Sequence, residues 1–154
     1  MTFPVLETKR LLLRQITLAD AENLFSFFSD PQVMRFYDCE ALASLEEAIG
    51  LIQRFADWFE RQNGFRWGVA LKAEPATLIG TCGLFAWHKA YRIATLGYEL
   101  TQPYWRRGIM SEAVSELLAS SLASTTILAP GAALSGPSSI TESPTLQFLM
   151  RPVV

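Results

Sequence analysis

The stretch PYWRRGIMSEAV, residues 103–114, combines residue types that suit anion binding. Arg106 and Arg107 precede Gly108, after which apolar and acidic residues follow a helical period. The first N–H groups of a helix have no partner inside the helix, and the helix dipole adds partial positive charge there. A glycine turn beside two guanidinium groups therefore suits an anion, phosphate above all. An ordinary solvated helix start is the other interpretation of the same residues.

The histidine and the cysteines are weaker candidates for chemistry. His88 is the only histidine, and it titrates near neutral pH, but its place in a turn between two predicted strands favours a solvated side chain over a base. Cys39 and Cys82 lack metal-ligand spacing, so no metal site is predicted, and both are interpreted as reduced residues in or near the core. The sequence supplies no base beside Cys82, which argues against a covalent nucleophile.

Composition bounds the class of protein. The chain has 154 residues, of which 50% are hydrophobic, enough for the core of one ordinary domain. The formal net charge of −2 gives no basic surplus, so nucleic acid is not expected as a partner. The N-terminal residues show no signal peptide, and no apolar run is long enough for a membrane span. We therefore expect a soluble, cytoplasmic protein.

Three helices are predicted from caps and apolar periodicity. The first begins at a cap on Thr17 and ends near Ser29. The second begins with a capping box formed by Ser44 and Glu47, keeps one face apolar for about four turns, and closes at Asn63–Gly64. The third follows the glycine turn through GIMSEAVSELLASSLA.

Four segments rich in β-forming residues are predicted to be strands. They are residues 9–16, 65–71, 77–87 and 93–100. The last three are separated only by the turn segments KAEPA and HKAYR, and short links between consecutive strands favour an antiparallel meander. The predicted order is one strand, two helices, three strands and a helix.

Several of these segments, taken in order, resemble the GNAT acetyltransferases. The matching segments are LETKRLLLRQITLADAENLFSFFSDPQVMRFY, LIGTCGL, LGYEL and PYWRRGIMSEAV. They are most similar to the RimJ/RimL-like ribosomal-protein N-terminal acetyltransferases and their small-molecule relatives. The resemblance implies an α/β (α+β) fold with a mostly antiparallel central sheet and helices on both faces. It also implies direct transfer of an acetyl group from acetyl-CoA to a primary amine, on a protein N-terminus or a small molecule, without a metal.

The resemblance assigns roles to the opening stretch and to the strand before it. In the family, backbone N–H groups of this turn hold the pyrophosphate of acetyl-CoA, and the preceding strand pairs with the pantetheine arm. Trp105 then occupies the first position of the six-residue loop, and Met110 stands where Gly or Ala is common. The implied cofactor-binding residues are Leu100, Arg106, Arg107, Gly108, Ile109, Met110 and Ser111. Glu99, which shares a face with Gly97, is the candidate base; an exposed glutamate at the strand end is the alternative.

Residues 115–154 break with the pattern of the preceding chain. They hold few charged residues and four prolines, and neither the helical nor the strand period is clear. The family's fifth strand and fourth helix, with its N-x-x-S start, are not recognisable there, although TTIL at 125–128 could form a strand. We expect an incomplete acetyltransferase domain at 1–122 and an atypical tail at 123–154. We also predict that the gene holds the missing half in another reading frame.

Without those elements the sheet would keep an open edge and an uncovered apolar face. The chain is then expected either to aggregate or to form a homodimer, and to bind acetyl-CoA weakly or not at all. Two other functions stay open at this point. One is a catalytically inactive remnant of the fold that acts as a binding module, and the other is an unrelated α+β ligand-binding domain.

Overall fold

The structure is a computed structural model that describes residues 2–35, 40–88, 93–123, 133–134 and 145–150. In this part of the chain, one sheet of seven strands carries α-helices on both faces. The strands are β1 (Leu6–Glu7), β2 (Leu11–Gln15), β3 (Phe65–Leu71), β4 (Glu74–His88), β5 (Ile93–Leu100), β6 (Ala133–Leu134) and β7 (Thr145–Met150). The helices are α1 (Ala21–Phe28), α2 (Pro31–Met34), α3 (Leu45–Glu60) and α4 (Ile109–Ala123).

Most neighbouring strands are antiparallel. The order across the sheet is β1-β2-β3-β4-β5-β7-β6, and every pair from β1 to β5 is antiparallel. For β1–β2, β3–β4 and β4–β5 this follows from the short links, because strands joined by a few residues run antiparallel; β2 and β3 are joined instead through residues 16–64, which contain the first three helices. β7 runs parallel to both β5 and β6. The predicted fold class, a mostly antiparallel sheet with helices on both faces, is confirmed.

Alternating residues of the strands build one core on each face. On β3, Trp67 is fully buried on the face that α4 covers. The buried stripe of α4 on that face consists of Ile109, Ala113 and Leu117. Helices α1 and α3 cover the opposite face, where Leu24 is buried. Consecutive residues of β5 therefore belong to different faces, which decides where the candidate site residues lie.

The two predicted helix starts in the first half of the chain are present, with local differences. Thr17 caps a 3-10 turn at Leu18–Asp20, from which α1 continues. Ser44 Oγ accepts a hydrogen bond from the Glu47 N–H at 3.3 Å, as in a capping box. The Glu47 carboxylate instead accepts from the Ala43 N–H, one residue before the cap.

The predicted end of the second helix is wrong. Helix α3 ends at Glu60, and the left-handed residue in the turn after it is Gln62, with a φ of 55°. The physical reason for the glycine at 64 is different. A Cβ at Gly64 would lie 2.9 Å from the Leu84 backbone oxygen, so the glycine permits close packing against β4.

The predicted start of the third strand segment is also wrong. β4 begins at Glu74, where it pairs with Leu71, so only the first two residues of KAEPA form a turn. Pro75 is compatible with this extension because proline is tolerated near the start of a strand.

The tail adds two strands that the sequence pattern does not predict. β7 pairs with the first half of β5, from Ile93 to Leu96, so the expected open edge is wrong for that half. An open edge offers N–H and C=O groups to any extended segment, and TLQFLM supplies one. In the described part of the chain, no strand lies beside Gly97–Leu100 on that side. The possible strand at 125–128 lies outside the described residues.

A buried ion pair fixes the start of α1 to the sheet. Asp20 is 2% exposed, and its two carboxylate oxygens accept from Arg14 Nη1 and Nη2 at 2.9 and 2.7 Å. The Thr17 N–H donates to the same carboxylate at 2.8 Å. Burial raises the pKa of Asp20, but the hydrogen bonds from Arg14 and Thr17, with the Arg14 charge, outweigh burial and leave the pKa below its ordinary value.

We predict that Asp20→Asn lowers the free energy of unfolding by about 2 kcal/mol at neutral pH, since Arg14 loses its charged partner. A carboxylate whose pKa is lowered by folding stabilises the protein above its unfolded pKa, and this contribution is lost as pH falls through the folded pKa. Urea unfolding should therefore show a difference between the two proteins that shrinks below about pH 4. Asp57→Asn, at an exposed position of α3, is the control; a D20N difference independent of pH would contradict the prediction.

Candidate active site

The turn between β5 and α4 has the backbone shape of an anion cradle. Arg106 has a φ of 60° and Gly108 a φ of 69°, both in the left-handed region, and α4 begins at Ile109. Backbone that alternates between right- and left-handed conformations brings successive N–H groups to one side of the chain, forming a concave nest for anions. Arg106 adopts this conformation although it has a Cβ, which costs free energy that the surrounding contacts have to offset.

The N–H groups of this turn are available to a ligand. The first helical hydrogen bond of α4 runs from the Glu112 N–H to the Gly108 oxygen at 3.1 Å. Among the described residues, no protein acceptor receives a hydrogen bond from the backbone N–H groups of residues 106–111. Six N–H groups at the positive end of a helix dipole thus point outside the protein's own hydrogen-bond network.

Trp105 fixes the turn to the end of β5. Its indole Nε1 donates to the Leu100 backbone oxygen at 2.6 Å. The same ring is partly buried against the cores of both faces. Trp105, at the first position of the loop, therefore has a structural role, because its indole connects the loop to the end of β5.

The first turn of α4 is held by the β1–β2 region through Glu112. Its carboxylate accepts from Thr8 Oγ1, from the Arg10 N–H at 3.0 Å and from Arg10 Nε at 2.7 Å. Arg10 Nη1 also donates to the Arg107 backbone oxygen at 3.0 Å. The hydrogen bond from Thr8 is the main reason that the pKa of Glu112 lies below its ordinary value; burial opposes it and Arg10 adds to it.

The side chains of the predicted loop residues divide between solvent and core. Arg106, Arg107 and Ser111 are exposed. Ile109 is 4% exposed, and Met110 packs partly against the same core. Because the Met110 side chain packs on the core, its replacement of Gly or Ala does not fill the cradle.

The edge of β5 next to the loop has backbone groups that point away from β4 and have no strand partner among the described residues. The Thr101 N–H donates to the Ile79 oxygen of β4 at 2.9 Å. Since backbone groups alternate in direction along a strand, those of Leu100 and Tyr98 point away from β4. The Leu100 oxygen already accepts from Trp105, which leaves the Leu100 N–H and both backbone groups of Tyr98 along an edge that no described strand covers.

Glu99 lies on the α1–α3 face and is buried, not exposed as the alternative interpretation required. It is 0% exposed, and its Oε2 accepts from Arg66 Nη2. Arg66, on β3, also donates through Nε to Thr81 Oγ1 of β4 at 2.9 Å. Three adjacent strands thus place one charged or polar side chain each at the same point of the sheet. Glu99 thus lies on β5, the strand that leads into the loop, but its side chain is on the opposite face of the sheet from that of Leu100.

The other candidates do not join this site. Cys82 is fully buried, and burial raises the pKa of its thiol to about 12, so it stays protonated and is a poor nucleophile. His88 is the last residue of β4, and Cys39 lies outside the described residues. Within the described ranges, no cluster of His, Cys, Asp and Glu side chains could hold a metal ion. None of the helices described is long and apolar enough to cross a membrane.

A comparison with protein families decides the class of this site. The model of the acetyltransferase (GNAT) domain matches residues 10–128. The chain belongs to the GNAT acetyltransferase family. This match contains every element from β2 to α4, including the cradle and Glu99.

Individual GNAT relatives match over the same part of the chain. The uncharacterized N-acetyltransferase YoaA of Bacillus subtilis (strain 168) is 44% identical over 116 residues, which are 75% of this chain and 65% of YoaA. A Vibrio cholerae structure, assigned provisionally as a ribosomal-protein-serine acetyltransferase, is 27% identical with a TM-score of 0.65, over 76% of this chain and 67% of that one. The RimL L7/L12 acetyltransferase structure with bound CoA has a TM-score of 0.66 at 16% identity, over 77% and 67%, which shows a common fold. The chain thus spans 65% of the length of its curated relative YoaA.

Several residues of the site are not predicted from the sequence. Arg66 carries a signal in retrospect, since FRWGVAL puts a charge in the middle of an otherwise apolar strand. Thr81 gives no such signal. The contact of Thr8 and Arg10 with Glu112 joins residues about a hundred positions apart, and no local pattern in the sequence reports it.

We predict that Glu112→Gln loosens the cradle. The neutral amide keeps one acceptor oxygen but loses the charge that binds Arg10, so we expect a loss of about 1 kcal/mol in unfolding free energy. Amide hydrogen exchange at residue 112, whose N–H donates to the Gly108 oxygen at the start of α4, should accelerate more than exchange in β3. Glu116→Gln is the matched control one turn later, where the carboxylate accepts a hydrogen bond from Ser120 Oγ. Equal changes of amide exchange in both variants would contradict the role of Glu112 in holding the start of α4.

Proposed function

We propose that the chain is an N-acetyltransferase that transfers an acetyl group from acetyl-CoA to a primary amine. The observation that carries the proposal is the row of backbone N–H groups at residues 106–111, which have no acceptor among the described residues and lie at the start of α4. Membership of the GNAT family supports the same chemistry. Because the chain spans 65% of YoaA, activity of the whole protein belongs to this proposal.

The cradle fits a pyrophosphate. Left-handed backbone at Arg106 and Gly108 gives it a concave shape, and the Met110 side chain packs partly against the core. Arg106 and Arg107 add two exposed positive charges beside it. The N–H group of Leu100 and the backbone groups of Tyr98 fit the amides of a pantetheine arm, as a strand partner would. The residues that we assign to acetyl-CoA are Leu100, Arg106, Arg107, Gly108, Ile109, Met110 and Ser111.

Acetyl-CoA supplies a thioester carbonyl carbon to the amine and a thiolate as leaving group. Glu99 is the carboxylate that we assign to proton removal from the acceptor ammonium, which frees the nitrogen lone pair. Because Glu99 is fully buried, we propose that a water molecule relays this proton. The second proton of the amine leaves with the thiolate, so that an amide and a thiol are the products.

Finer assignments stay predictions. The acceptor is a small-molecule amine or a protein N-terminus, and RimL, which acts on ribosomal L7/L12, is a neighbour by fold. Cytoplasmic location, the homodimer, the domain boundary at residue 122 and the second reading frame are predictions of the same kind. A chain that bound CoA without transferring an acetyl group would favour the binding-module alternative.

We predict that Arg106→Ala with Arg107→Ala weakens CoA binding about five- to tenfold by calorimetry, because two exposed charges leave the cradle. Added salt should weaken CoA binding by the wild-type chain more than CoA binding by the variant. Arg54→Ala with Arg61→Ala removes two exposed charges from the α3 region and controls for net charge. Unchanged affinity in the first variant would remove the arginines from the site, while the backbone cradle would remain.

Glu99→Gln should lower kcat about 100-fold, because the amide cannot accept the proton. Affinity for CoA should stay unchanged, since Glu99 and the outward edge of β5 lie apart. Steady-state kinetics with a panel of amines, together with calorimetry, measures both quantities. Full activity in this variant would exclude Glu99 as the base.

A further inference from the structure

The guanidinium of Arg66 reaches Glu99 across the sheet through a trough made by two glycines. In the register of the sheet, Arg66 lies opposite Gly83, and Gly83 lies opposite Gly97. A Cβ on Gly83 would be 2.1 Å from the Phe65 backbone oxygen and 2.9 Å from Arg66 Cδ, and a Cβ on Gly97 would be 2.7 Å from both Arg66 Nη1 and Phe85 Cε1. Both glycines are thus placed where a larger residue would block the arginine side chain.

Aromatic rings and a hydroxyl fix the guanidinium from other directions. Its central carbon lies 5.5 Å from the centre of the Phe55 ring of α3 and 5.8 Å from that of the Phe85 ring of β4. Arg66 Nε donates to Thr81 Oγ1. With 5% of its surface exposed, Arg66 has little freedom to leave Glu99.

We infer that Arg66 is a positioning residue that holds the Glu99 carboxylate ionised and in a single orientation towards the acceptor amine. This inference rests on the proposed function, because the acceptor amine is part of that proposal. Charge favours the arrangement, because a positive group in contact with a buried carboxylate stabilises its ionised form. Orientation follows from the fork, since one guanidinium edge binds both Thr81 and Glu99.

Besides Arg66, the structure gives this carboxylate one titratable neighbour among the described residues, and its side chain belongs to the core on the α4 face. Cys82 of β4 is near enough to interact electrostatically with both Arg66 and Glu99, and it is protonated at neutral pH. The ring of Phe55 is what α3 adds near the guanidinium. The charge state of Glu99 is therefore assigned to Arg66.

The decisive experiment compares Arg66→Met with Arg14→Met by infrared spectroscopy and kinetics. Arg14 forms the buried pair with Asp20 on another part of the same face, so its loss controls for destabilisation. Each spectrum is subtracted from that of the same protein carrying Glu99→Gln as well, which isolates Glu99. We expect the C=O band of a protonated carboxyl at neutral pH in the Arg66 variant only, with kcat lowered about tenfold or more and the KM for acetyl-CoA within about twofold. Arg66→Lys should recover part of kcat.

Two results would overturn the inference: an ionised Glu99 in the Arg66→Met protein, or equal losses of kcat in the Arg66 and Arg14 variants. If Arg66→Met does not fold, Gly97→Ala displaces the guanidinium without removing it, and Gly50→Ala, whose added methyl meets nothing within 4 Å, is its control. Equal kcat in those two variants would again contradict the role of Arg66. If the wild-type chain acetylates no amine, the proposed function fails, and the carboxyl band still decides whether Arg66 holds the charge of Glu99.

Discussion

A guanidinium cannot be buried without partners, and the middle of this sheet is arranged around one. Arg66 of β3 is 5% exposed, and its partners come from the two neighbouring strands β4 and β5 and from helix α3. Small residues opposite it leave room for the side chain. Thr81 and Glu99 accept hydrogen bonds from its Nε and Nη2. Removing one member of such a buried pair typically costs about 3–5 kcal/mol. Gly83 and Gly97 weaken their strands by themselves, but both lie where an added Cβ would meet the Arg66 side chain.

Strand β5, which carries Glu99, presents three different groups in three directions. On β5, Glu99 points to the α1–α3 face, the side chain of Leu100 joins the α4 core, and the outward backbone groups form the edge. The chain continues into the turn that Trp105 fixes to the strand. A carboxylate in the first turn of α4 would oppose an anion there, but Arg10 binds Glu112 and neutralises its charge. The positive character of the helix start is thereby kept.

Local signals predicted helices α1, α3 and α4, strands β2 to β5 and the position of the turn, but not β1, α2, β6 or β7. Apolar period, the caps at Thr17 and Ser44, and the glycine before α4 all act within a few residues, so they can be recognised in a sequence. The boundary at Gly64 was wrong because that glycine serves a contact with β4, which sequence spacing does not show. For the same reason, the partners of Glu99 and Glu112 needed the structure. The neighbours of a residue across the sheet determine whether its carboxylate is exposed or buried in an ion pair, and the Glu99 carboxylate is buried.

The register in which the tail strand β7 pairs with β5 determines how much of the β5 edge next to the proposed site it covers. β7 is parallel to β5, and Met150 lies opposite Leu96. A sheet edge can pair with a protein strand or with the amides of a ligand, but one set of N–H and C=O groups cannot serve both. Continuing this pairing by two residues would cover the outward groups of Tyr98, since the direction of these groups repeats every second residue. In the described part of the chain the pairing stops before that point. The tail therefore stabilises the first half of β5, and no strand among the described residues pairs with the outward groups next to the cradle that the proposed pantetheine contact requires.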